Sequence, residues 1–371
     1  MRVCLIHPLI QSSLWENDLI ARWPPLGLAY IASYLEQNGH SVKIIERRRL
    51  LDRRPRNSGS LKDVDCLTAN ILKEYKPQIV GITATTPLIT DAYRTAKLAK
   101  DLDNSITVVA GGAHPTAEPN LTLWQSPQID VVCKGEGEAV ILDLANGLPL
   151  EQINGIVYRN CEGVRTNPCR KLPDTLDHLP YPAYNLLDRD YYFNPTSTII
   201  RGLCLKATTV STARGCPYHC SFCQSEQLVK SQDAKQVRFH SPEYIIEEID
   251  FLIRNFSIEG LLFAEDIFSL SRQRTIEICQ LLINKGLHKK LKWAANLRPD
   301  SIDKGLLELM RDSGCVRIIL GCESGSQQTL NKMEKKLNLE INYQAVSLAR
   351  KTGISCEVNI IFGFPGEKKD D

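Results

Sequence analysis

Short apolar runs alternate with amphipathic stretches along almost the whole chain. In the first part, VCLI (3–6), VKIIE (42–46), IVGIT (79–83), ITVVAGG (106–112) and DVVCKG (130–135) read as strands. Between them, Leu28, Ile31, Ala32 and Leu35 recur at helical spacing with Gly39 as a stop, and 63–75, 88–100 and 138–146 read as helices. Strands that are apolar throughout, each followed by a helix, predict a parallel, doubly wound α/β sheet over residues 1–150. The next fifty residues change character. GIVYRN and VRTNP form a small hairpin around 161–163, and LPDTLDHLPYPAYNLLD is proline-rich and aperiodic, a linker or lightly ordered connection through residue 200. From 201 the alternation resumes, with strands at 206–212, 260–264, 291–295, 316–320 and 357–362 and helices at 242–255, 272–285, 304–312 and 343–351. That regularity predicts a (β/α) barrel whose chemistry lies at the C-terminal strand ends.

Composition narrows the setting. The chain has 371 residues, 43% hydrophobic and 24% charged, with a net charge of +2, so no global charge argues for a nucleic-acid or membrane partner. No run of eighteen apolar residues predicts a transmembrane helix, and His7 and Pro8 end the first apolar run too early for a signal peptide. Thirteen cysteines form no disulfide-like framework, which predicts reduced thiols in a cytoplasm. Cys4, Cys133, Cys279, Cys315 and Cys356 stand in or beside apolar segments, as small core residues do. The run Arg47–Asn57 holds six arginines, either a solvated loop after the second strand or a contact for a phosphate-bearing molecule.

One stretch fits neither a disulfide nor a closed zinc site. CPYHCSFC places Cys216, Cys220 and Cys223 directly after the first strand of the second unit. Three thiolates leave one iron of a cubane cluster free; a zinc or core role is the alternative. The spacing Cys-x3-Cys-x2-Cys, with Phe222 before the last cysteine, resembles the radical S-adenosylmethionine (SAM) superfamily. The resemblance implies a [4Fe–4S] cluster on Cys216, Cys220 and Cys223 whose open iron binds SAM. It also implies SAM contacts from Phe222, from Glu265 and Asp266 in FAEDIF, from Asn296 and Arg298 in NLRPD, from Gly321 and Glu323 in LGCES, and from Gly363 in IFGFPGE. Each alone is equally a helix cap or an ion-pair partner; four in order at strand ends point to one site.

No GxGxxG follows the first strand, which disfavours a nicotinamide site. Polar, glycine-rich turns do follow the strands. Together with WPPLGLAYIASYLEQNGHSVKIIE (23–46) they resemble the cobalamin-binding domain that precedes a radical SAM barrel. This implies cobalamin contacts from Pro8, Thr83, Thr85, Thr86, Gly111, Gly112, His114, Gly135, Glu136 and Gly137. The DxHxxG motif of cobalamin mutases is absent, so the resemblance implies cobalamin without a protein imidazole. His114 is a candidate ligand, although a loop histidine bonded to the backbone is the preferred reading. The threonines could equally cap helices.

The resemblance thus implies a Rossmann-like cobalamin domain (1–150), a hairpin and linker (151–200) and a partial (β/α)6 radical SAM barrel (201–371). The barrel ends after its fifth strand, as a fragment of a longer chain or a truncated form would. The implied activity is methyl transfer to an unactivated carbon: one SAM methylates cobalamin, a second is cleaved, and the substrate radical takes the methyl group. Ring closure, as in the anaerobic cyclase of chlorophyll biosynthesis, and a non-catalytic cobalamin-binding protein are the alternatives. A small-molecule substrate and an electron donor such as flavodoxin or ferredoxin are the implied partners.

Overall fold

The computed structural model describes residues 1–9, 23–52, 60–196 and 199–368. Strands β1 (Arg2–His7), β2 (Ser41–Glu46), β3 (Ile79–Thr83), β4 (Thr107–Gly111) and β5 (Val131–Cys133) run parallel in the order β2-β1-β3-β4-β5. The order reverses between β1 and β3, the switch point at which open α/β sheets bind ligands. Successive side chains of one strand enter opposite cores. Val3 and Leu5 pack with Leu28, Leu35 and Ile141, whereas Cys4 and Ile6 pack with Leu72, Ala92 and Ala96. Helices cover both faces, which is why the strands read as unbroken apolar runs.

The sheet does not stop at residue 150. Strands β6 (Ile156–Asn160) and β7 (Gly163–Thr166) form the expected hairpin but add antiparallel to β5, giving seven strands. Ile156, Val157 and Tyr158 are all buried, so this strand belongs between two layers rather than in a linker. The proline-rich segment is likewise pinned. Leu176 and Leu179 are buried against Tyr30, and the Ala183 amide donates to the Ala29 carbonyl at 3.0 Å.

The arginine run is not a solvated loop where it is described. Residues Arg47–Asp52 form a helix, and Arg47 is fully buried. Its guanidinium donates to Asp91 through Nε and Nη2 (2.8 and 3.0 Å), to Asp65 (2.7 Å) and to Thr68 Oγ1 (3.0 Å). That fork–fork geometry satisfies a charge that burial alone would expel. Arg49 pairs with Asp188 at 2.6 Å. Arg53, Arg54 and Arg56 lie outside the described residues.

In the second unit, β8 (Ala207–Val210) is followed by a two-residue ribbon, β9 (Ala213–Arg214) and β10 (Arg238–Phe239), paired antiparallel. Then β11 (Gly260–Phe263), β12 (Lys292–Leu297), β13 (Cys315–Glu323) and β14 (Ser355–Ile360) complete a parallel sheet ordered β14-β13-β12-β11-β8. It is a partial barrel with β8 and β14 as edges. Its core centres on Phe263, Phe268 and Trp293, with the first two ring centroids 4.5 Å apart and Trp293 edge-on to Phe263 at 5.3 Å. Polar residues end the strand loops by capping the next helices: Ser241, Ser271, Asp303 and Ser326 each accept from the amide three residues on. Among the described residues no helix is long and apolar enough to cross a membrane.

Candidate functional site

The C-terminal strand ends of both sheets meet at a cavity of about 410 Å³, within the range of small-molecule sites. Its walls come from the ends of β3, β4 and β5, from the start of the helix Leu26–Gln37, from the ribbon, and from the residues after β8 and β11.

On the first-domain side, Thr83, Gly111, Gly112, Gly135, Glu136 and Gly137 line this cavity; Pro8, Thr85, Thr86 and His114 do not. Gly112 has φ +91°, and a Cβ there would meet Thr83 Oγ1 at 2.8 Å and the Ala84 backbone at 3.0 Å. Only glycine lets the end of β4 fold this closely onto the end of β3. His114 sits in a helical turn, Ala113–Ala117, not in a loop, and its amide, rather than its ring, donates to the Ala84 carbonyl at 3.0 Å. Its Nδ1 meets Thr86 Oγ1 at 3.1 Å, while its Nε2 is buried without a hydrogen-bond partner. The carboxylate of Glu136 is engaged by Arg214 at 2.8 Å and by Arg238. That leaves the glycine backbone around it, not its side chain, to meet a ligand.

The three cysteines lie in the loop 215–237, whose ends the ribbon ties together. Gly215 has φ +93°, and a Cβ there would stand 2.0 Å from the Gln236 carbonyl oxygen, so the loop can close only on glycine. The Cys223 amide donates to the Cys220 carbonyl at 2.9 Å, and the Ser221 amide to the Met333 carbonyl at 3.0 Å. Cys220 is buried, Cys216 half-buried and Cys223 exposed. Burial pushes the Cys216 and Cys220 thiols up, and Lys335 and Arg298 pull Cys220 back. Nearby Cys223 and Cys220 add to the rise at Cys216, and Cys223 adds to that at Cys220. Among the described residues no three His, Cys, Asp or Glu side chains converge as they would around a single metal ion. A cubane does not ask that of them, because its thiolates occupy separate corners, and flanking cations suit its negative charge.

The strand-end residues divide into two groups. Glu265 and Asp266 line the cavity. Glu265 is buried, accepts from Thr212 Oγ1 at 2.5 Å, and its carboxyl is pushed up by that burial. Asn296 Nδ2 donates to the Glu265 carbonyl at 3.2 Å, and Ser225 Oγ donates to Asp266 at 2.9 Å. The second group includes two cations beside Cys220, Arg298 and Lys335. Arg298 is buried, pairs with Asp300 at 2.8 Å, donates to the Lys335 carbonyl, and lies 3.8 Å from the Tyr218 ring centroid. Lys335 Nζ bonds Glu323 at 3.0 Å and lies 5.9 Å from the centroid of the Phe222 ring. Glu323 holds φ +65° at a register shift in β13, a bulge that re-aims its side chain. A Cβ on Gly321 would meet Glu323 Oε1 at 2.7 Å. Gly363 occupies an exposed turn after β14, where its amide donates to Glu367 at 2.5 Å.

Sequence reasoning missed Thr212, Arg214, Ser225 and Lys335. Arg214 stands two residues before the first cysteine and could have been suspected from that position alone. Lys335, in the run KMEKK, carries no local signal.

Residues 19–145 match the B12 binding domain and residues 210–371 the Radical SAM superfamily. An uncharacterized methyltransferase of Pyrococcus horikoshii is 34% identical over all of this chain and 76% of its own length. The anaerobic magnesium-protoporphyrin IX monomethyl ester cyclase of Rubrivivax gelatinosus is 30% identical over 99% of this chain and 63% of its own length. The cobalamin-dependent SAM radical enzyme OxsB, solved with aqua-cobalamin and SAM bound, shares the fold. It matches with a TM-score of 0.76 at 23% identity, over 97% of this chain and 49% of that one.

Proposed function

Because the chain belongs to the radical SAM enzymes that carry an N-terminal B12-binding domain, we propose that it is a cobalamin-dependent radical SAM methyltransferase acting on an unactivated carbon. The observation that carries this reading is that two sets of strand ends converge on one cavity, with the three-cysteine loop anchored at its rim. The cofactors, when bound, supply the electron that splits SAM and the cobalt that carries a methyl group.

The protein's own residues do the holding. Cys216, Cys220 and Cys223 ligate the cluster, and Arg298 and Lys335 offset its charge from beside Cys220. Glu265 and Asp266 face the cavity and hold the SAM ammonium group; Thr212 and Asn296 fix Glu265 in place. Phe222, Gly321, Glu323 and Gly363 complete the SAM side. Thr83 and the glycine backbone at 111, 112, 135 and 137 line the cavity and would hold cobalamin. The aliphatic walls, including Leu5, Ile31 and Val109, exclude water. The substrate is a small molecule, the reductant is a flavodoxin or ferredoxin, and the cytoplasm keeps the cysteines outside the cluster loop as thiols.

The Rubrivivax relative favours a second reading, cyclisation on the same cofactors. Anaerobic reconstitution with iron, sulfide and hydroxocobalamin, followed by methyl-labelled SAM, separates the two. Label on cobalt together with deoxyadenosine supports methyl transfer. Deoxyadenosine with no label on cobalt favours cyclisation, and the absence of both, with cluster and cobalamin bound, overturns the enzyme reading.

A further inference from the structure

Arg214 and Arg238 are direct cross-strand partners in the ribbon. Two guanidiniums so placed repel one another, and both are largely buried, at 20% and 3% side-chain exposure. One carboxylate bridges the pair. Glu136, from the turn after β5 in the first domain, accepts from Arg214 Nη1 at 2.8 Å through one oxygen and from Arg238 Nη2 through the other. Arg214 Nη2 then donates to Glu138 at 2.7 Å, and its guanidinium lies 5.1 Å from the Tyr30 ring centroid. Every one of these first-domain partners comes from the wall of the cavity.

The two arginines also mark the two ends of the loop 215–237, with Cys216 two residues from Arg214. We propose that Glu136 is a positioning residue: it latches both ends of the cysteine loop to the turn after β5 and so sets the spacing between the cluster site and the cobalamin wall. The inference rests on the functional reading for what those two walls hold, but the latch belongs to the polypeptide alone. Loss of the Glu136 charge removes the one carboxylate that both arginines share, leaves Arg214 with Glu138 alone, and loosens both loops together. A contact that merely added stability would not couple them.

Hydrogen–deuterium exchange on the cofactor-free protein reads this directly. Glu136→Gln keeps the shape and removes the charge. Exchange in residues 134–138 and 214–238 rises together, by at least about tenfold, while the β3 and β4 amides stay as in wild type. Arg214→Gln gives the same joint pattern, and Arg214→Lys recovers part of it. Loosening confined to the mutated segment, or none in either, overturns the latch. In the reconstituted enzyme, Glu136→Gln retains wild-type iron but forms about tenfold more deoxyadenosine per methyl group transferred. An unchanged ratio at full iron content also overturns it. Failure of the functional reading looks different: wild type itself then retains no cobalamin, and the exchange arm still decides the latch.

Discussion

The two sheets present their strand ends to the same cavity in opposite chemical styles. The first offers Thr83 and glycines at 111, 112, 135 and 137, while its carboxylates Glu136 and Glu138 are taken up by Arg214 and Arg238. The second offers Glu265 and Asp266 to the cavity and sets Arg298 and Lys335, the latter paired with Glu323, beside Cys220. One architecture therefore supports two modes of recognition: close backbone approach suits a broad ring, and fixed charges suit a zwitterion and an anionic cluster. The difference teaches that strand-end position selects where a ligand sits, while the residue types placed there select what it is.

That division can be broken experimentally. The largest effect belongs to Cys220→Ala, which abolishes cluster iron and deoxyadenosine formation while leaving cobalamin retention intact; metal analysis and visible spectra check both. If cobalamin is lost as well, the two sites are not separable. Next, Asp91→Asn strands the buried Arg47 with half its charge partners, at a cost of about 3–5 kcal/mol. Urea unfolding followed by exchange then tells whether the second sheet loosens with the first or holds on its own. A third test lies where the units meet. Glu248 is buried, accepts from Tyr184 at 2.8 Å, and burial pushes its carboxyl up to about 7. The folded state favours its protonated form, so this contribution is complete below about pH 4.5 and is lost as pH rises to about 7. Its size is on the order of 3 kcal/mol. Glu248→Gln should flatten that slope, seen as a difference in melting temperature between pH 5 and pH 8; parallel slopes would discard the assignment. The smallest effect is Gly112→Ala, about 1–3 kcal/mol of local strain, which reduces cobalamin retention and spares cluster iron.

Much of this was readable in advance because both units obey simple periodicities. The strands of the two parallel sheets are mostly apolar where they face a core, and the helices at 242–256, 272–284, 304–312 and 327–332 begin at a capping residue. The cysteine loop announced itself by spacing alone. What escaped the sequence is what depends on long-range partners. Arg47 looks like its five neighbours in the run until Asp91, 44 residues on, reaches it. Glu136 reads as a polar turn residue until Arg214 and Arg238 arrive from the other unit. The hairpin pattern was visible, but not the open edge of β5 that would take it up. His114 shows neither its helical turn nor its Thr86 partner locally, because a proline follows it and suggests a loop.

None of the three loop thiols belongs to the apolar cluster built around Phe263, Phe268 and Trp293. Small zinc domains collapse when stripped because the ion is their core; this chain closes its core elsewhere. The ribbon already brings the loop ends together, so ordering the thiolates involves a short span rather than a free chain. Maturation can therefore be a late event, with iron and sulfide delivered to a scaffold that has finished folding.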